Sequence, residues 1–127
     1  MKLYISGPIS GYENKNKPAF EAAAKRVNGM GQYAITPFDL NVVDPQPYTD
    51  WVSNMKRDIK YLVGFDGVVV IDGWKQSKGA NIEVALASWL NIPIYELNDE
   101  DMLVELLIDA KIELKLFTRE EFLKSTK

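Results

Sequence analysis

The sequence predicts an α/β fold, a three-layer sandwich in which helices cover both faces of a parallel sheet of four to five strands. Two observations predict it. Short apolar runs rich in β-branched residues alternate with segments whose apolar residues recur at helical spacing, in the order β-α-β-α-β-α-β. The first and third strands also each lead into a loop with two glycines and a serine. Loops of this kind build ligand sites at the carboxyl ends of parallel strands.

Length and composition predict a single globular domain over residues 1–127, because 46% of the residues are hydrophobic and 26% are charged. No apolar run approaches the roughly 20 residues of a membrane span. The apolar part of the chain's start is too short for a signal peptide. We therefore expect a cytoplasmic protein with no membrane partner.

The sequence contains no cysteine and no histidine. This excludes thiolate nucleophiles, zinc–thiolate sites and Ser-His-Asp triads, so any catalysis must use carboxylates, hydroxyls, lysine or tyrosine. We predict no metal site and no cofactor. The net charge is −3 and the chain has no block of lysine and arginine. A small molecule is therefore a better candidate partner than duplex nucleic acid.

The first strand is predicted over residues 2–6. The loop over 7–11 is typical of loops that let a ligand approach the backbone, although a plain turn is the alternative. A helix begins near Asn16, a possible N-cap, and ends at Gly29 or Gly31. The candidate substrate-binding residues in this part of the chain are Ser6, Gly7, Pro8, Ile9, Ser10 and Gly11.

A second strand is predicted over 33–36, and a surface loop over the three prolines of 37–47. The second helix is predicted over 48–62. At about 100° per residue, Asp58 falls in the centre of its apolar stripe, whereas Arg57 points elsewhere. An acid on an apolar face has two interpretations. It marks a functional site, or it is a structural carboxylate that caps a loop or pairs with a buried arginine.

A third strand is predicted over 68–71, followed by the second glycine-containing loop and a helix over 79–90. Glu83 lies in the first or second turn of that helix, on an apolar face. Ser77 and the backbone amides after it could hold a phosphate or a sugar hydroxyl. The candidate substrate-binding residues in this part of the chain are Asp72, Gly73, Trp74, Ser77, Gly79 and Ala80.

These residues predict a site at the carboxyl ends of the first and third strands. An ionised Glu83 near a helix N-terminus could act as a nucleophile toward a sugar carbon. Asp58 or Asp72 could supply a second carboxylate. Tyr4, in the first strand, could hydrogen-bond Glu83, and Trp74 could stack on a heterocycle.

The C-terminal third is predicted to contain a fourth strand over 92–95 and a helix over 99–110. Residues 111–117 fit either a helix end or a fifth strand. A capping box at 118–121 predicts a last short helix. Residues 96–127 as a whole therefore read as a helical C-terminal extension.

Several motifs in this sequence resemble the nucleoside 2-deoxyribosyltransferase superfamily, including its nucleotide N-hydrolase branch and the small DUF4406-like bacterial and phage proteins grouped with it. The resemblance spans about residues 1–95. The motifs that carry it are Tyr4-Ile5-Ser6-Gly7-Pro8-Ile9-Ser10-Gly11, then Arg57-Asp58-Ile59, then Asp66 with the following strand, and Asp72-Gly73-Trp74 through Ser77-Lys78-Gly79-Ala80 to Glu83.

The resemblance implies a flavodoxin-like fold with no cofactor, assembled as a homodimer or larger homo-oligomer. It implies that Glu83 attacks C1′ of a 2-deoxyribonucleoside or 2-deoxynucleotide, displaces the base, and passes the sugar to another base or to water. Asp58 would assist at the active site, and Tyr4 would orient the nucleophile. Ser77 would contact the 5′ side of the substrate. The hydrolase branch also carries a phosphate-binding arginine in the first loop, and that position here is Ser10.

Two other classes of function fit the same residues. One is a nucleotide-binding or nucleotide-sensing module that keeps the pocket without turnover. The other is a structural or interaction protein whose buried acids are simply paired. Release of free base from deoxynucleosides separates the enzyme from both alternatives.

Overall fold

The computed structural model describes residues 1–110 and 115–125, which form five strands and five α-helices. The strands are β1 (Lys2–Ser6), β2 (Tyr33–Ile35), β3 (Gly67–Val70), β4 (Ile94–Leu97) and β5 (Leu103–Leu106). The helices are α1 (Lys17–Gly29), α2 (Pro37–Val43), α3 (Trp51–Leu62), α4 (Lys78–Trp89) and α5 (Arg119–Ser125). None of the helices in this part of the chain has both the length and the apolarity to cross a bilayer.

The strand order is β2-β1-β3-β4-β5. The first four strands are parallel, and β5 runs antiparallel to β4. The α/β fold class is confirmed, with helices on both faces of a mostly parallel sheet. Between β1 and β3 the chain changes the direction in which it adds strands. This switch point is where open α/β sheets form a crevice for ligands.

Side chains alternate between the two faces of β1 because successive strand residues point in opposite directions. Leu3 and Ile5 pack against Phe20 of α1 on one face. Tyr4 packs on the other face with core residues that include Val84 of α4. One strand therefore contributes to both core layers, and Tyr4 and Ser6 of β1 face α4.

The proline-containing segment 37–47 was predicted to be a loop, and that prediction is wrong for residues 37–43, which form α2. The Thr36 side chain accepts a hydrogen bond from the Asp39 backbone N–H, and the Asp39 carboxylate accepts one from the Thr36 N–H. Pro37 occupies the first turn, where its missing N–H has no cost. The capping box of Thr36 and Asp39 is a local helix signal, and it outweighs the three prolines and the lack of a clear period that predict a loop.

The helix predicted over 99–110 is also wrong, because residues 103–106 form the antiparallel strand β5. Asn98 caps a turn rather than a helix, since its Oδ1 accepts from the backbone N–H groups of Glu100 and Met102. Asp101 completes the turn with a φ of +55°. A short apolar run does not distinguish helix from strand by periodicity alone, and here pairing with β4 decides.

The remaining C-terminal predictions fall partly on residues 111–114, which lie outside the described residues. The last short helix is present as α5. The Thr118 hydroxyl accepts a hydrogen bond from the Glu121 backbone N–H at 3.1 Å, which is the first half of the predicted capping box.

Candidate active site

A cavity of about 400 Å³ lies at the carboxyl ends of β1 and β3, at the predicted position of the site. This volume is in the range of small-molecule sites in proteins. The loops after both strands line it, together with α3 and the first half of α4. The catalytic candidates Tyr4, Asp58 and Glu83 all face this one cavity.

Glu83 lies at the floor of the cavity, in the second turn of α4, with only 4% of its surface exposed. Both of its carboxyl oxygens are held. The Tyr4 hydroxyl donates to Oε2 at 2.5 Å, and the Ser6 hydroxyl donates to Oε1 at 2.8 Å. The two donors are two residues apart in β1, so the alternation of the strand turns both toward α4. This geometry leaves Glu83 with a fixed orientation.

Asp58 is 5% exposed and lies on the inner face of α3. Its Oδ1 accepts from Arg57 Nε at 3.0 Å and lies 3.0 Å from Arg57 Nη2. The prediction that Arg57 points away from the apolar face is wrong, since Arg57 is 5% exposed. It can be buried because its guanidinium also donates to Asn41 Oδ1 and to the Asp44 carbonyl. Arg57 thereby ties α3 to α2 and pairs with Asp58.

Burial shifts the pKa values of all three titratable groups of the floor. Desolvation raises the pKa of Glu83 to about 8, although the hydrogen bonds from Tyr4 and Ser6 oppose that shift. Desolvation also raises the pKa of Asp58 to about 6, and the charge of Arg57 opposes it. The pKa of Tyr4 lies well above its usual value, because the phenol is buried beside two carboxyl groups. Tyr4 therefore remains a proton donor to Glu83.

The first loop lines the cavity with Gly7, Pro8, Ile9 and Ser10, whereas Gly11 lies outside it. Gly7 has no room for a side chain, because a Cβ there would overlap Cγ1 of Ile71. This close approach packs the loop after β1 against the end of β3. The backbone of the first loop is thus available to a ligand at the switch point.

The second loop lines the cavity with Gly73, Ser77, Gly79 and Ala80. Gly73 adopts a φ of +87°, which side chains rarely allow. Ser77 is the N-cap of α4, and its hydroxyl accepts from the Ala80 backbone N–H at 3.2 Å. The residue that was predicted to contact substrate thus also determines where the helix of Glu83 begins.

Four predicted substrate-binding residues do not line this cavity. Ser6 is fully buried and donates to Glu83 instead, and Gly11 lies outside the cavity. Asp72 and Trp74 line a second depression, between α1 and the ends of β3 and β4, and do not line the cavity of Glu83. Asp72 is exposed, and Trp74 is partly buried against the core. Of the two acids considered as a second carboxylate, Asp58 therefore shares the cavity with Glu83. Among the described residues, no group of three or more histidine, cysteine, aspartate or glutamate side chains is arranged to hold a metal ion.

Sequence reasoning missed most of the outer wall of the cavity. The lining residues whose side chains it did not predict to form the site include Tyr12, Lys15, Phe38, Asn41, Tyr48, Trp51, Asn54 and Lys78. Two signals could have found part of this wall. The capping box at 36–39 marks the helix that carries Asn41, and aromatic residues flank the N-cap of α3 at Asp50.

Fold and site together define a flavodoxin-like α/β domain with two buried carboxyl groups in a cavity at its switch point. A family profile described as "Domain of unknown function (DUF4406)" matches residues 1–96. The chain belongs to that family. A sequence search of curated proteins gives no match.

Among solved structures, the chain is similar to a 2-deoxyribosyltransferase from the psychrotolerant bacterium Bacillus psychrosaccharolyticus. The TM-score is 0.59 at 18% sequence identity, and the match covers 76% of this chain and 71% of that chain. At this identity the likeness shows a shared fold.

Proposed function

We propose that the protein cleaves or transfers the N-glycosidic bond of a 2-deoxyribonucleoside or 2-deoxynucleotide, through a glycosyl-enzyme intermediate on Glu83. The observation that carries the proposal is the buried Glu83 carboxyl group, which Tyr4 and Ser6 hold at the floor of a cavity shared with Asp58. The fold shared with a 2-deoxyribosyltransferase supports the same chemistry.

In the first step, a carboxylate oxygen of Glu83 forms a bond to C1′ of the sugar while the bond from C1′ to the base nitrogen breaks. The electron pair of that bond leaves with the base, which takes up a proton. In the second step, water or the nitrogen of another base attacks C1′ and gives its proton to the Asp58 carboxylate. The bond from C1′ to Glu83 breaks, which restores the Glu83 carboxylate. This sequence follows the chemistry of retaining glycosidases, in which a carboxylate acts as the nucleophile.

The carboxyl pair supplies both the nucleophile and the proton. With pKa values of about 6 and about 8, Asp58 and Glu83 together hold one proton at neutral pH. The proton lies mostly on Glu83, which has the higher pKa, and the reactive arrangement is the minor one with an ionised Glu83 and the proton on Asp58. Asp58 then passes this proton to the departing base. Tyr4 and Ser6 keep the Glu83 oxygens oriented, so the nucleophile does not need to reorganise as the bond forms.

The direct test incubates the protein with a panel of deoxynucleosides and deoxynucleoside 5′-monophosphates and follows release of free base by chromatography. Adding a second base reveals transfer as a new nucleoside. Glu83→Gln should abolish release, because the amide cannot form the glycosyl ester. Glu21→Gln, an exposed change on α1, is the matched control and should retain wild-type rates.

Mass spectrometry supplies the sharper result. A 2-deoxyribosyl adduct on the peptide that contains Glu83, absent in Glu83→Gln, would establish the covalent intermediate. Base release that persists in Glu83→Gln would rule out Glu83 as the nucleophile.

The pH dependence should be bell-shaped, because the reactive pair holds one proton. We expect kcat/KM to fall below about pH 6, where both carboxyl groups are protonated, and above about pH 8, where both are ionised. Asp58→Asn should remove the alkaline limb and lower the maximum, because only Glu83 then titrates. An unchanged alkaline limb in Asp58→Asn would show that another group delivers the proton.

One observation favours a second candidate function, a nucleotide-binding or nucleotide-sensing module without turnover. A pKa of about 8 leaves Glu83 mostly protonated at neutral pH, and a protonated carboxyl group is a poor nucleophile. Saturable binding of deoxynucleotides without base release at any pH from 5 to 9 would support this function over the enzyme.

A further inference from the structure

Two lysines lie at the mouth of the cavity, and the sequence patterns predicted a binding role for neither side chain. Lys15 Nζ is 2.7 Å from the centroid of the Tyr48 ring, and Lys78 Nζ is 4.6 Å from that of the Trp51 ring. Both lysines line the cavity. Neither forms an ion pair with a carboxylate within residues 1–110 and 115–125. Their positive charges are therefore available to a ligand.

Tyr48 and Trp51 lie on either side of Asp50, the N-cap of α3. Because Lys15 lies over Tyr48 and Lys78 lies over Trp51, the two lysines flank the same short segment. Aromatic faces attract a cation and hold it in place, but they do not neutralise its charge. The ammonium groups thus lie beside the opening, and no carboxylate among the described residues neutralises their charge. A bound anion would supply the partner that they lack.

Charge is distributed unevenly along the depth of the cavity. Its acidic lining residues are Asp58 and Glu83, both buried at the floor. Near the mouth, Lys78 and Gly79 form the first turn of α4, whose backbone N–H groups carry the positive end of the helix dipole. The arrangement suits a ligand with an electrophilic carbon at one end and an anionic group at the other.

The backbone around Lys15 adds a separate observation. Asn14, Lys15 and Asn16 adopt consecutive positive φ values of 51°, 55° and 62°. Asparagine tolerates this conformation, but for lysine it is unfavourable. The Asn16 side chain holds the turn by donating to the Pro8 carbonyl at 2.9 Å. An unfavourable conformation that places a lysine at a cavity mouth is the kind of strain found at ligand sites.

We propose that Lys15 and Lys78 form an anion site that recognises the phosphate monoester of the sugar ligand. The preferred substrate is then a 2′-deoxynucleoside 5′-monophosphate rather than the nucleoside. This inference rests on the proposed function. In the hydrolase branch of the resembled superfamily, an arginine in the first loop binds the phosphate, and Ser10 occupies that position here. The inference therefore assigns the phosphate to two other residues, Lys15 and Lys78.

The test compares kcat/KM for base release from a 2′-deoxynucleoside 5′-monophosphate and from the same nucleoside. The wild type should prefer the monophosphate. Lys15→Gln and Lys78→Gln should each reduce that preference roughly tenfold, because a hydrogen bond to a charged group is lost. Arginine at either position should restore much of it. Inorganic phosphate should compete with the monophosphate and not with the nucleoside.

Lys75→Gln is the matched control. Lys75 also lies over an indole ring, that of Trp74, but it does not line the cavity. This variant should keep the wild-type preference. Base release with an equal preference in wild type, Lys15→Gln and Lys78→Gln would overturn the anion site and leave the proposed function standing.

If no substrate releases base, the proposed function fails and the anion site is tested by binding. Calorimetric titration with the monophosphate, the nucleoside and inorganic phosphate then supplies the readout. Tighter binding of the monophosphate that is lost in Lys15→Gln and Lys78→Gln, and kept in Lys75→Gln, supports the site. Equal affinity for nucleoside and monophosphate overturns it.

Discussion

At the scale of single residues, Glu83 and Asp58 lie where apolar side chains would be expected. Burying a carboxyl group removes it from water, and the raised pKa values of both groups reflect that cost. The fold limits the cost by supplying donors. Tyr4 and Ser6 donate to Glu83, and Arg57 donates to Asp58. No buried side-chain nitrogen or oxygen among the described residues lacks a hydrogen-bond partner.

The raised pKa of Glu83 makes stability depend on pH. The folded state keeps a proton up to about pH 8, whereas the reference value for an unfolded glutamate is 4.5. The stabilisation is therefore complete below about pH 4.5 and is lost as the pH rises through 8. For one proton, the free energy of unfolding should fall by up to about 1.4 kcal/mol per pH unit across this window. Urea denaturation at pH 5, 6, 7 and 8 measures the slope.

Glu83→Gln should remove this contribution to the slope, because glutamine does not titrate, and should be more stable than the wild type at pH 8. In Glu83→Gln the free energy of unfolding should still fall with pH between about pH 4 and 6, where Asp58 titrates, but less steeply than in the wild type. Glu21→Gln is again the control and should follow the wild type. Indistinguishable slopes in Glu83→Gln and wild type would show that Glu83 has no raised pKa in the folded protein.

Residue patterns in the sequence identified Asp58 and Glu83 because helical spacing is a local property. The same reasoning failed for Arg57, which lies next to Asp58 and was expected to point away. Its guanidinium reaches Asn41 Oδ1 and the Asp44 carbonyl, which are 16 and 13 residues away in sequence. A helical wheel does not include partners on another element, so it cannot show that a long polar side chain is satisfied inside.

At the scale of elements, the loop after β1 depends on a glycine. A Cβ on Gly7 would overlap Ile71 at the end of β3. We expect Gly7→Ala to lower the free energy of unfolding by about 1–3 kcal/mol, in the range of overpacking in a well-packed interior. The denaturation midpoint measures this, with an unchanged m value.

Gly29→Ala is the matched control, because a Cβ at the last residue of α1 meets nothing within 4 Å. This change should be neutral or stabilise by about 0.4–1 kcal/mol, through the lower entropy of the unfolded chain. Equal stabilities of Gly7→Ala and Gly29→Ala would show that the loop after β1 shifts freely to accept a side chain.

Two segments form a different element from the one that the sequence predicts. Prolines predicted a loop where Thr36 and Asp39 cap α2, and an apolar run predicted a helix where β5 pairs with β4. In both places the local sequence is compatible with two structures. For β5, antiparallel pairing with the preceding strand β4, across the turn at 98–102, selects the strand. For α2, the information was local, and weighting the capping box above the prolines would have found it.

At the scale of the whole molecule, α4 presents large apolar side chains to solvent. Ile82 and Trp89 are 39% and 61% exposed, and their spacing of seven residues places them on one face of the helix. Exposed apolar surface of this kind marks interaction sites. Together with the resemblance found in the sequence, it leads us to predict a homodimer or larger homo-oligomer.

Light scattering after size-exclusion chromatography should give at least twice the mass of 14.4 kDa. Trp89→Glu should lower that mass, because a charge would enter the contact. Tyr33→Glu is the control, since Tyr33 is an aromatic residue of similar exposure, 63%, on the edge strand β2. A monomeric wild type at micromolar concentrations would contradict the prediction.

The sequence by itself determined the fold class, the position of the site at the ends of two strands, and two acids on apolar helix faces. Periodicity and loop composition are local, so they can be read without coordinates. Only the tertiary structure decided that Asp58 and not Asp72 shares the cavity with Glu83, and that Lys15 and Lys78 stand at its mouth. Tyr4 and Glu83 are 79 residues apart in the chain, and contacts at that range depend on how the sheet and helices pack.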